Sequence, residues 1–312
     1  MTAEIIDGVK IAAELEEQLR RDVAALPGGR LEGALATVSA GETFQSAAYQ
    51  RRLQQLAGRL DLPYEHHALP AAATEQSLLD TIAVLGNDSK VAGILLLRPL
   101  PAHIRESSVF AALPPEKDVE AVHPENAGLL ALGTPRFVPS TAASAYHVLD
   151  MWLDRVGEDR ARFYENATIV VVGRSNNVGK PAVSLAYQRH AAVTSIDEWS
   201  GRGSRLGFHT RRADVLIVAA GVPGLIRAEH VREGAIVLDI GINPAPGNHD
   251  SGVHIVGDVA FDGVLSRVRA ITPVPGGIGP VTDVRLFQNV VLAQHNRVPG
   301  PTQQADPVKT LR

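Results

Sequence analysis

One stretch of this 312-residue chain constrains its fold more than any other: the apolar run 167–172 leads directly into a glycine-containing turn. A continuous apolar run is typical of a strand that is buried on both faces of a parallel sheet. The residues after the turn, 178–190, are predicted to form a helix. A buried strand, a glycine turn and a helix in this order predict one unit of a parallel α/β sheet.

The rest of the chain continues this alternation, which favours an α/β fold with two domains. We predict further helices at 7–26, 43–58, 74–85, 142–156 and 283–295, and strands at 35–39, 91–97, 192–196, 215–219, 236–240 and 254–256. Asp7 is expected to cap the first helix and Gly58 to end the second. The predicted domains are 1–141, completed by helix 283–297, and a Rossmann-type domain, 142–282; residues 298–312 are expected to be a disordered tail.

The composition excludes several classes of partner. Hydrophobic residues make up 45% and charged residues 21%, as in an ordinary globular protein. The net charge is −4 and the basic residues form no stripe, so we expect no nucleic-acid partner. The chain has no cysteines and no apolar run long enough to span a bilayer, which favours a cytoplasmic enzyme without a membrane partner. No Cys or His spacing indicates a metal site.

The turn after the apolar run has the features of a phosphate-binding loop. Gly173 follows the strand and Gly179 lies where the helix begins, and the absence of a Cβ lets the backbone approach a pyrophosphate closely. Free N–H groups and the helix dipole favour an anion at this point. Because the spacing differs from the usual dinucleotide motif, a purely structural turn is the alternative.

The strand that follows this turn ends in acidic residues, Asp197 and Glu198. At this position an acidic side chain commonly accepts hydrogen bonds from the adenosine ribose and would repel a 2′-phosphate, which favours NAD over NADP. Arg174 is evidence for the opposite preference, because its guanidinium could pair with such a phosphate. All three charges could instead be solvated at the surface.

A second glycine-rich segment, 272–282, is too rich in glycine and proline for a helix or strand, and we predict a shaped loop. With the first turn and the segments 46–49, 93–101, 117–124, 239–243 and 257–259, it closely resembles the methylenetetrahydrofolate dehydrogenase/cyclohydrolase family. The resemblance runs over about 5–289 and implies two α/β domains around a cleft, usually in a homodimer. It implies a folate-binding catalytic domain first and an NAD(P)-binding domain second. Family members oxidise 5,10-methylenetetrahydrofolate to the methenyl cation, and many then hydrolyse it to 10-formyltetrahydrofolate.

The resemblance also implies roles for individual residues. The residues expected to contact the cofactor are Gly173, Arg174, Ser175 and Ile242, beside Gly179 and the acidic pair described above. Those expected in the folate site are Tyr49, Leu97, Glu120, Pro275, Gly276, Gly277, Ile278 and Gly279, with Tyr49 as the catalytic residue.

Three positions depart from the family pattern. The family helix reads Tyr-x-x-x-Lys, but Leu53 stands at the lysine position after Tyr49, and the adjacent Arg52 is expected to point to another side of the helix. Leu97 stands where the family has a glutamine that positions the lysine. Glu120 stands where the family has an aspartate that holds the pterin ring.

These replacements predict that the dehydrogenase survives and the cyclohydrolase is weak or lost. Hydride loss is driven by the two nitrogens that flank the methylene carbon, and it needs no proton transfer. Hydrolysis needs general acid–base help worth roughly 10²–10⁴-fold. Leu53 cannot provide it, and Tyr49, with an ordinary pKa of about 10, is a poor base near neutrality.

Three alternatives stay open. The chain could act on another one-carbon or cyclic amine substrate, since Glu120 is one methylene longer than the family aspartate. It could be a nucleotide-binding protein without catalysis, although both glycine segments would then be needless. It could also keep both activities, with an arginine or an ordered water in the role of the lysine.

Overall fold

A computed structural model describes residues 3–203, 205–246 and 253–297. The chain divides into two compact α/β units, each described here by itself. Described residues within 16–140 and 283–312 form the three-stranded unit, and those within 1–15 and 141–282 form the six-stranded unit. The predicted α/β fold class with a parallel sheet is confirmed.

The strands are β1 Glu4–Ile5, β2 Ala34–Ala40, β3 Tyr64–Leu69, β4 Val91–Leu96, β5 Thr168–Val172, β6 Ala192–Ile196, β7 Val215–Val218, β8 Ala235–Asp239, β9 Asn243–Pro246, β10 Val253–Val256 and β11 Val268–Ile271. The helices are α1 Gly8–Ala24, α2 Phe44–Leu60, α3 Glu75–Asn87, α4 Glu106–Ala111, α5 Pro124–Ala131, α6 Ser140–Arg155, α7 Arg160–Asn166, α8 Gly179–Gln188, α9 Arg205–Thr210, α10 Phe261–Val264 and α11 Ile278–Arg297. Short 3-10 helices span Pro27–Gly29 and Ala228–His230.

The three-stranded unit has a parallel sheet in the order β3–β2–β4. Every residue of β4 is buried, as its continuous apolar run predicts. Helix α2 begins with a capping box between Thr43 and Ser46. The prediction that Gly58 ends this helix is wrong: α2 continues to Leu60 and ends where Asp61 adopts a left-handed conformation (φ 53°).

The six-stranded unit has the order β1–β11–β8–β7–β5–β6, with every neighbouring pair parallel. From β5 the chain first adds β6 on one side and later β7 on the other, so the strand order reverses between β5 and β7. In open α/β sheets, ligands bind outside the carboxyl ends of the strands at such a reversal. β9 and β10 form a separate antiparallel pair.

Two parts of the observed fold differ from the sequence prediction. Residues 3–15 group with the six-stranded unit, because β1 pairs with β11, a strand that the sequence pattern did not indicate. α11 begins at Ile278, so the segment 272–282 is a loop only as far as residue 277. Pro280 is compatible with this start, because a proline in the first helical turn removes no helical hydrogen bond. The predicted tail, 298–312, lies outside the described residues.

Candidate active site

Several polar side chains from distant parts of the sequence meet around Tyr49 in the three-stranded unit. Tyr49 is a partly buried residue of α2, and Glu120 lies in the loop that follows β4 and α4. Ser140 is the first residue of α6 and is 1% exposed. We call Tyr49, Ser140 and Glu120 the tyrosine–glutamate cluster.

Ser140 connects the other two members of the cluster. Its hydroxyl donates a hydrogen bond to Oε1 of Glu120, and its backbone N–H also bonds the Glu120 carboxylate. The Ser140 hydroxyl is hydrogen-bonded to the Tyr49 side chain as well. Nδ2 of Asn289 donates to the carbonyl oxygens of Val119 and Val138, each at 2.8 Å. Asn289 therefore ties together the two chain segments that carry Glu120 and Ser140.

The segment that carries Glu120 is anchored by its preceding residues. Nζ of Lys117 donates to the carbonyl oxygens of Leu85 (2.9 Å) and Asp88 (2.7 Å). Asp118 is fully buried and accepts the backbone N–H of His123 at 2.8 Å. Lys117 and Asp118 therefore act as loop anchors that hold the segment before Glu120 in place.

Arg52 provides a positive charge next to Tyr49. Its guanidinium forms two hydrogen bonds with Asp283 of α11, at 3.0 and 3.3 Å, and its Cζ lies 5.2 Å from the centre of the Tyr49 ring. The prediction that Arg52 points to another side of the helix is therefore wrong. Residues three apart on a helix are neighbours on its surface, and the pairing with Asp283 draws the guanidinium over the ring.

The electrostatic environment of the cluster changes its acid–base properties. Burial raises the pKa of Tyr49 well above its ordinary value, and the charges of Glu120 and Asp283 raise it further, while Arg52 lowers it. Burial also raises the pKa of Glu120 to about 7, although the Ser140 hydroxyl and the charge of Arg98 oppose this rise. Tyr49 is thus protonated at neutral pH, whereas Glu120 can gain or lose a proton there.

The positions that the family uses for lysine and glutamine are apolar and buried. Leu53 is 0% exposed and Leu97 is 3% exposed. Neither can donate, accept or transfer a proton. Ser140 is the described side chain that is hydrogen-bonded to both Tyr49 and Glu120, and it was not identified from the sequence.

The glycine turn of the six-stranded unit forms a cradle at the carboxyl end of β5. Gly173 has φ 113°, and a Cβ there would lie 2.1 Å from the carbonyl oxygen of Ala219. A Cβ on Gly179 would lie 2.1 Å from the carbonyl oxygen of Gly173. The residue before α8, Val178, has no side chain that could cap the helix, and the second helical N–H bonds to the carbonyl oxygen of Ser175 at 3.1 Å. The positive end of the α8 dipole favours an anion at this point. Ser175 Oγ accepts the Gly179 N–H at 3.4 Å.

Arg174 and Asp197 form an ion pair beside this cradle. Nη1 of Arg174 lies 2.9 Å from Oδ2 of Asp197, and Nη2 donates to the carbonyl oxygen of Ser195 at 2.6 Å. Hydrogen bonds from Ser200 hold the pKa of Asp197 below its ordinary value. Glu198 and Ile242 are exposed. The arginine and the aspartate, for which the sequence indicated opposite cofactor preferences, therefore neutralise each other.

Two buried carboxylates shape the loops at the same edge of the sheet; both lie in segments that carry the family resemblance, but the sequence assigned neither of them a role. Asp258 is 0% exposed and accepts the backbone N–H groups of Ala220, Gly221 and Val222 at 2.6–2.9 Å. Asp239 accepts the N–H groups of Gly241 and Val259, each at 2.9 Å, and that of Asp258 at 3.1 Å. The loops after β7 and β8 thus depend on these two carboxylates.

The second glycine segment also belongs to the six-stranded unit. Gly276 has φ 101°, and a Cβ on Gly277 would lie 2.5 Å from the carbonyl oxygen of Pro273. A Cβ on Gly8 would lie 1.7 Å from the carbonyl oxygen of Gly277, so the loop packs tightly on the start of α1. A role in the folate site stays a prediction for this loop, since the tyrosine–glutamate cluster lies in the other unit. The residues concerned are Pro275, Gly276, Gly277, Ile278 and Gly279.

The residues that the structure describes contain neither a cluster of metal ligands nor a membrane-spanning helix. No group of three His, Asp or Glu side chains among them could hold a metal ion. None of their helices is both long and apolar enough to cross a membrane.

Comparisons with known proteins cover both units. Residues 6–120 match the catalytic domain of tetrahydrofolate dehydrogenase/cyclohydrolase, and residues 131–298 match its NAD(P)-binding domain. Bifunctional protein FolD 3 of Rubrobacter xylanophilus is 51% identical over 94% of this chain and 92% of its own length.

Solved structures agree with this assignment. The FolD enzyme of Campylobacter jejuni is 32% identical, with a TM-score of 0.84 over 95% of this chain and 100% of its own. The Trypanosoma brucei FolD, solved with NADP and an inhibitor, is 31% identical, with a TM-score of 0.86 over 96% and 100%. The resemblance seen in the sequence is confirmed, and the chain belongs to the tetrahydrofolate dehydrogenase/cyclohydrolase family.

Proposed function

We propose that this protein oxidises 5,10-methylenetetrahydrofolate to 5,10-methenyltetrahydrofolate with NAD, and that its cyclohydrolase activity is weak. The single observation that carries the proposal is the buried, apolar character of Leu53 and Leu97 beside a retained Tyr49. Oxidation needs the folate held in place and a hydride acceptor, whereas hydrolysis also needs proton transfer. Leu53 and Leu97 therefore remove only the groups for the proton transfer that hydrolysis needs.

The nucleotide cradle fits a dinucleotide. Gly173 and Gly179 let the turn pack tightly, since a Cβ on either would lie 2.1 Å from a backbone carbonyl oxygen, and the positive end of the α8 dipole beside the turn favours a pyrophosphate. When bound, NAD supplies the acceptor for the hydride. Asp197 supports NAD over NADP, because it already neutralises Arg174 and would repel a 2′-phosphate.

A second candidate is the full bifunctional reaction. It is favoured by the 51% identical relative, which is named a bifunctional FolD protein. NADP is likewise a candidate cofactor, because the T. brucei relative was solved with it. The homodimer and the cytoplasmic location expected from the sequence stay predictions; sedimentation of the purified chain would test the first.

A direct assay separates these candidates. The enzyme is given 5,10-methylenetetrahydrofolate with NAD or NADP, and reduced cofactor, methenyl and 10-formyl products are measured after chromatographic separation. Equal amounts of reduced cofactor and methenyl product support the proposal, and the better cofactor decides between NAD and NADP. Rapid conversion to the 10-formyl product supports the bifunctional candidate. If no product forms although NAD binds, the folate assignment fails.

A further inference from the structure

The tyrosine–glutamate cluster forms an unbroken chain of exchangeable protons. Ser140 has a single hydroxyl proton, which it donates to Oε1 of Glu120. Its oxygen can then accept the proton of the Tyr49 hydroxyl, to which it is also hydrogen-bonded. Proton transfer along this chain moves a positive charge from Tyr49 to Glu120 without displacing any heavy atom.

We propose that Glu120, reached through the Ser140 hydroxyl, accepts the proton that Tyr49 passes on when water attacks the methenyl carbon. This inference rests on the proposed function, and it makes the hydrolysis slow instead of absent. Glu120 is then a proton acceptor as well as a folate contact, and Ser140 is a positioning residue that touches no substrate. No lysine is needed.

The proton balance of this step closes. The water oxygen bonds to the methenyl carbon and one of its protons moves to Oη of Tyr49. The Tyr49 proton moves to Oγ of Ser140, and the Ser140 proton moves to Glu120. When the carbon–nitrogen bond breaks, the bonding pair stays on the nitrogen, which takes a proton back along the chain. The proton of the remaining hydroxyl leaves to solvent as the formyl group forms.

The surroundings allow Glu120 to change its protonation state near neutrality. The charged and titratable groups that face the two ends of the chain are Arg98 and Asp118 for Glu120, and Arg52 and Asp283 for Tyr49. Burial raises the pKa of Glu120 to about 7. The Tyr49 pKa is raised well above its ordinary value, so Tyr49 can only relay a proton and cannot hold a stable negative charge.

The decisive variant is Ser140→Ala. The backbone N–H of Ser140 still anchors the Glu120 carboxylate, so the substitution removes the relay hydroxyl and leaves the acceptor anchored. Ser144→Ala is the matched control, because Ser144 lies one turn further along α6 and is also buried (0% against 1% exposed). Glu120→Gln is a second test, since it removes the acceptor.

Methenyltetrahydrofolate is supplied directly at saturating concentration to the full-length enzyme, and the rate in enzyme-free buffer is subtracted. We expect wild-type hydrolysis to rise with pH through about 7, the pKa of Glu120. Ser140→Ala should lower this rate by at least about tenfold, and Ser144→Ala should leave it unchanged. Glu120→Gln should lose both the rate and its pH dependence.

The proposal is overturned if Ser140→Ala hydrolyses as fast as wild type, if wild type is no faster than buffer, or if Glu120→Gln keeps the same pH profile. Oxidation of 5,10-methylenetetrahydrofolate is measured separately. Its absence would refute the proposed dehydrogenase, but it would leave the hydrolysis test intact, because that test starts from the methenyl compound.

Discussion

Asp258→Asn should strongly lower the free energy of unfolding, because the Asp258 carboxylate holds the loop that follows β7. Oδ2 of Asp258 accepts the N–H groups of Ala220 and Gly221, and Oδ1 accepts those of Val222 and Asn243, at 2.6–2.9 Å. An asparagine presents an N–H at one of the two oxygen positions and so loses two of the four bonds. Hydrogen bonds to a charged group contribute about 1.5–3 kcal/mol each, which predicts a loss of about 3–6 kcal/mol in the free energy of unfolding.

Urea unfolding followed by circular dichroism measures this loss. Asp262→Asn is the control, because Asp262 is exposed on α10, and it should change stability by less than about 0.5 kcal/mol. Asp239→Asn should cost less than Asp258→Asn, since burial already raises the Asp239 pKa to about 6 and an uncharged group is better tolerated there. A loss below about 1 kcal/mol for Asp258→Asn would refute this account of the loop.

The same substitution also has a functional consequence. Residues 220–222 follow β7, at the edge where the strand order reverses. If Asp258 holds this loop in the shape needed for the dinucleotide, the KM for NAD should rise while the KM for folate changes less. A purely structural role would lower stability and leave the KM for NAD unchanged.

Three further predictions concern the site. Leu53→Lys with Leu97→Gln should raise methenyl hydrolysis by about 10–10²-fold, because it restores an acid–base group, although burying an ammonium group costs stability. Asp197→Asn should shift the kcat/KM ratio toward NADP by about tenfold, because it removes a negative charge that would repel a 2′-phosphate and frees Arg174. Wild-type stability should fall as the pH rises from about 4.5 to about 7, because burial raises the Glu120 pKa from 4.5 to about 7 and the folded protein binds that proton more tightly than the unfolded chain does. Glu120→Gln should abolish this fall, which is at most about 3 kcal/mol.

Each of these predictions has a defined contrary result. Equal hydrolysis by wild type and the Leu53→Lys, Leu97→Gln double variant would show that the lysine role is already filled. An unchanged cofactor ratio in Asp197→Asn, measured by initial rates beside Asp262→Asn, would contradict the charge argument. Parallel stability curves for wild type and Glu120→Gln, from urea titrations across that pH range, would contradict the raised pKa.

Much of the fold follows from local patterns. The buried strand β4 and the unit β5–turn–α8 were predictable because continuous apolar runs and glycine turns are properties of short segments. Short elements such as β1 and β11 were not, because a two- or four-residue strand is defined by its pairing partner more than by its own residues. The helix start at Ile278 was hidden by prolines that the first turn of a helix tolerates.

The sequence by itself determined the family and showed which expected catalytic residues are replaced, because motif spacing and residue identity need no coordinates. Only the tertiary structure showed that Arg52 meets Asp283, 231 residues away, and that Ser140 joins Tyr49 to Glu120. It also decided that Asp197 neutralises Arg174. These contacts depend on which strand ends and helix starts the fold brings together, and no local pattern encodes that.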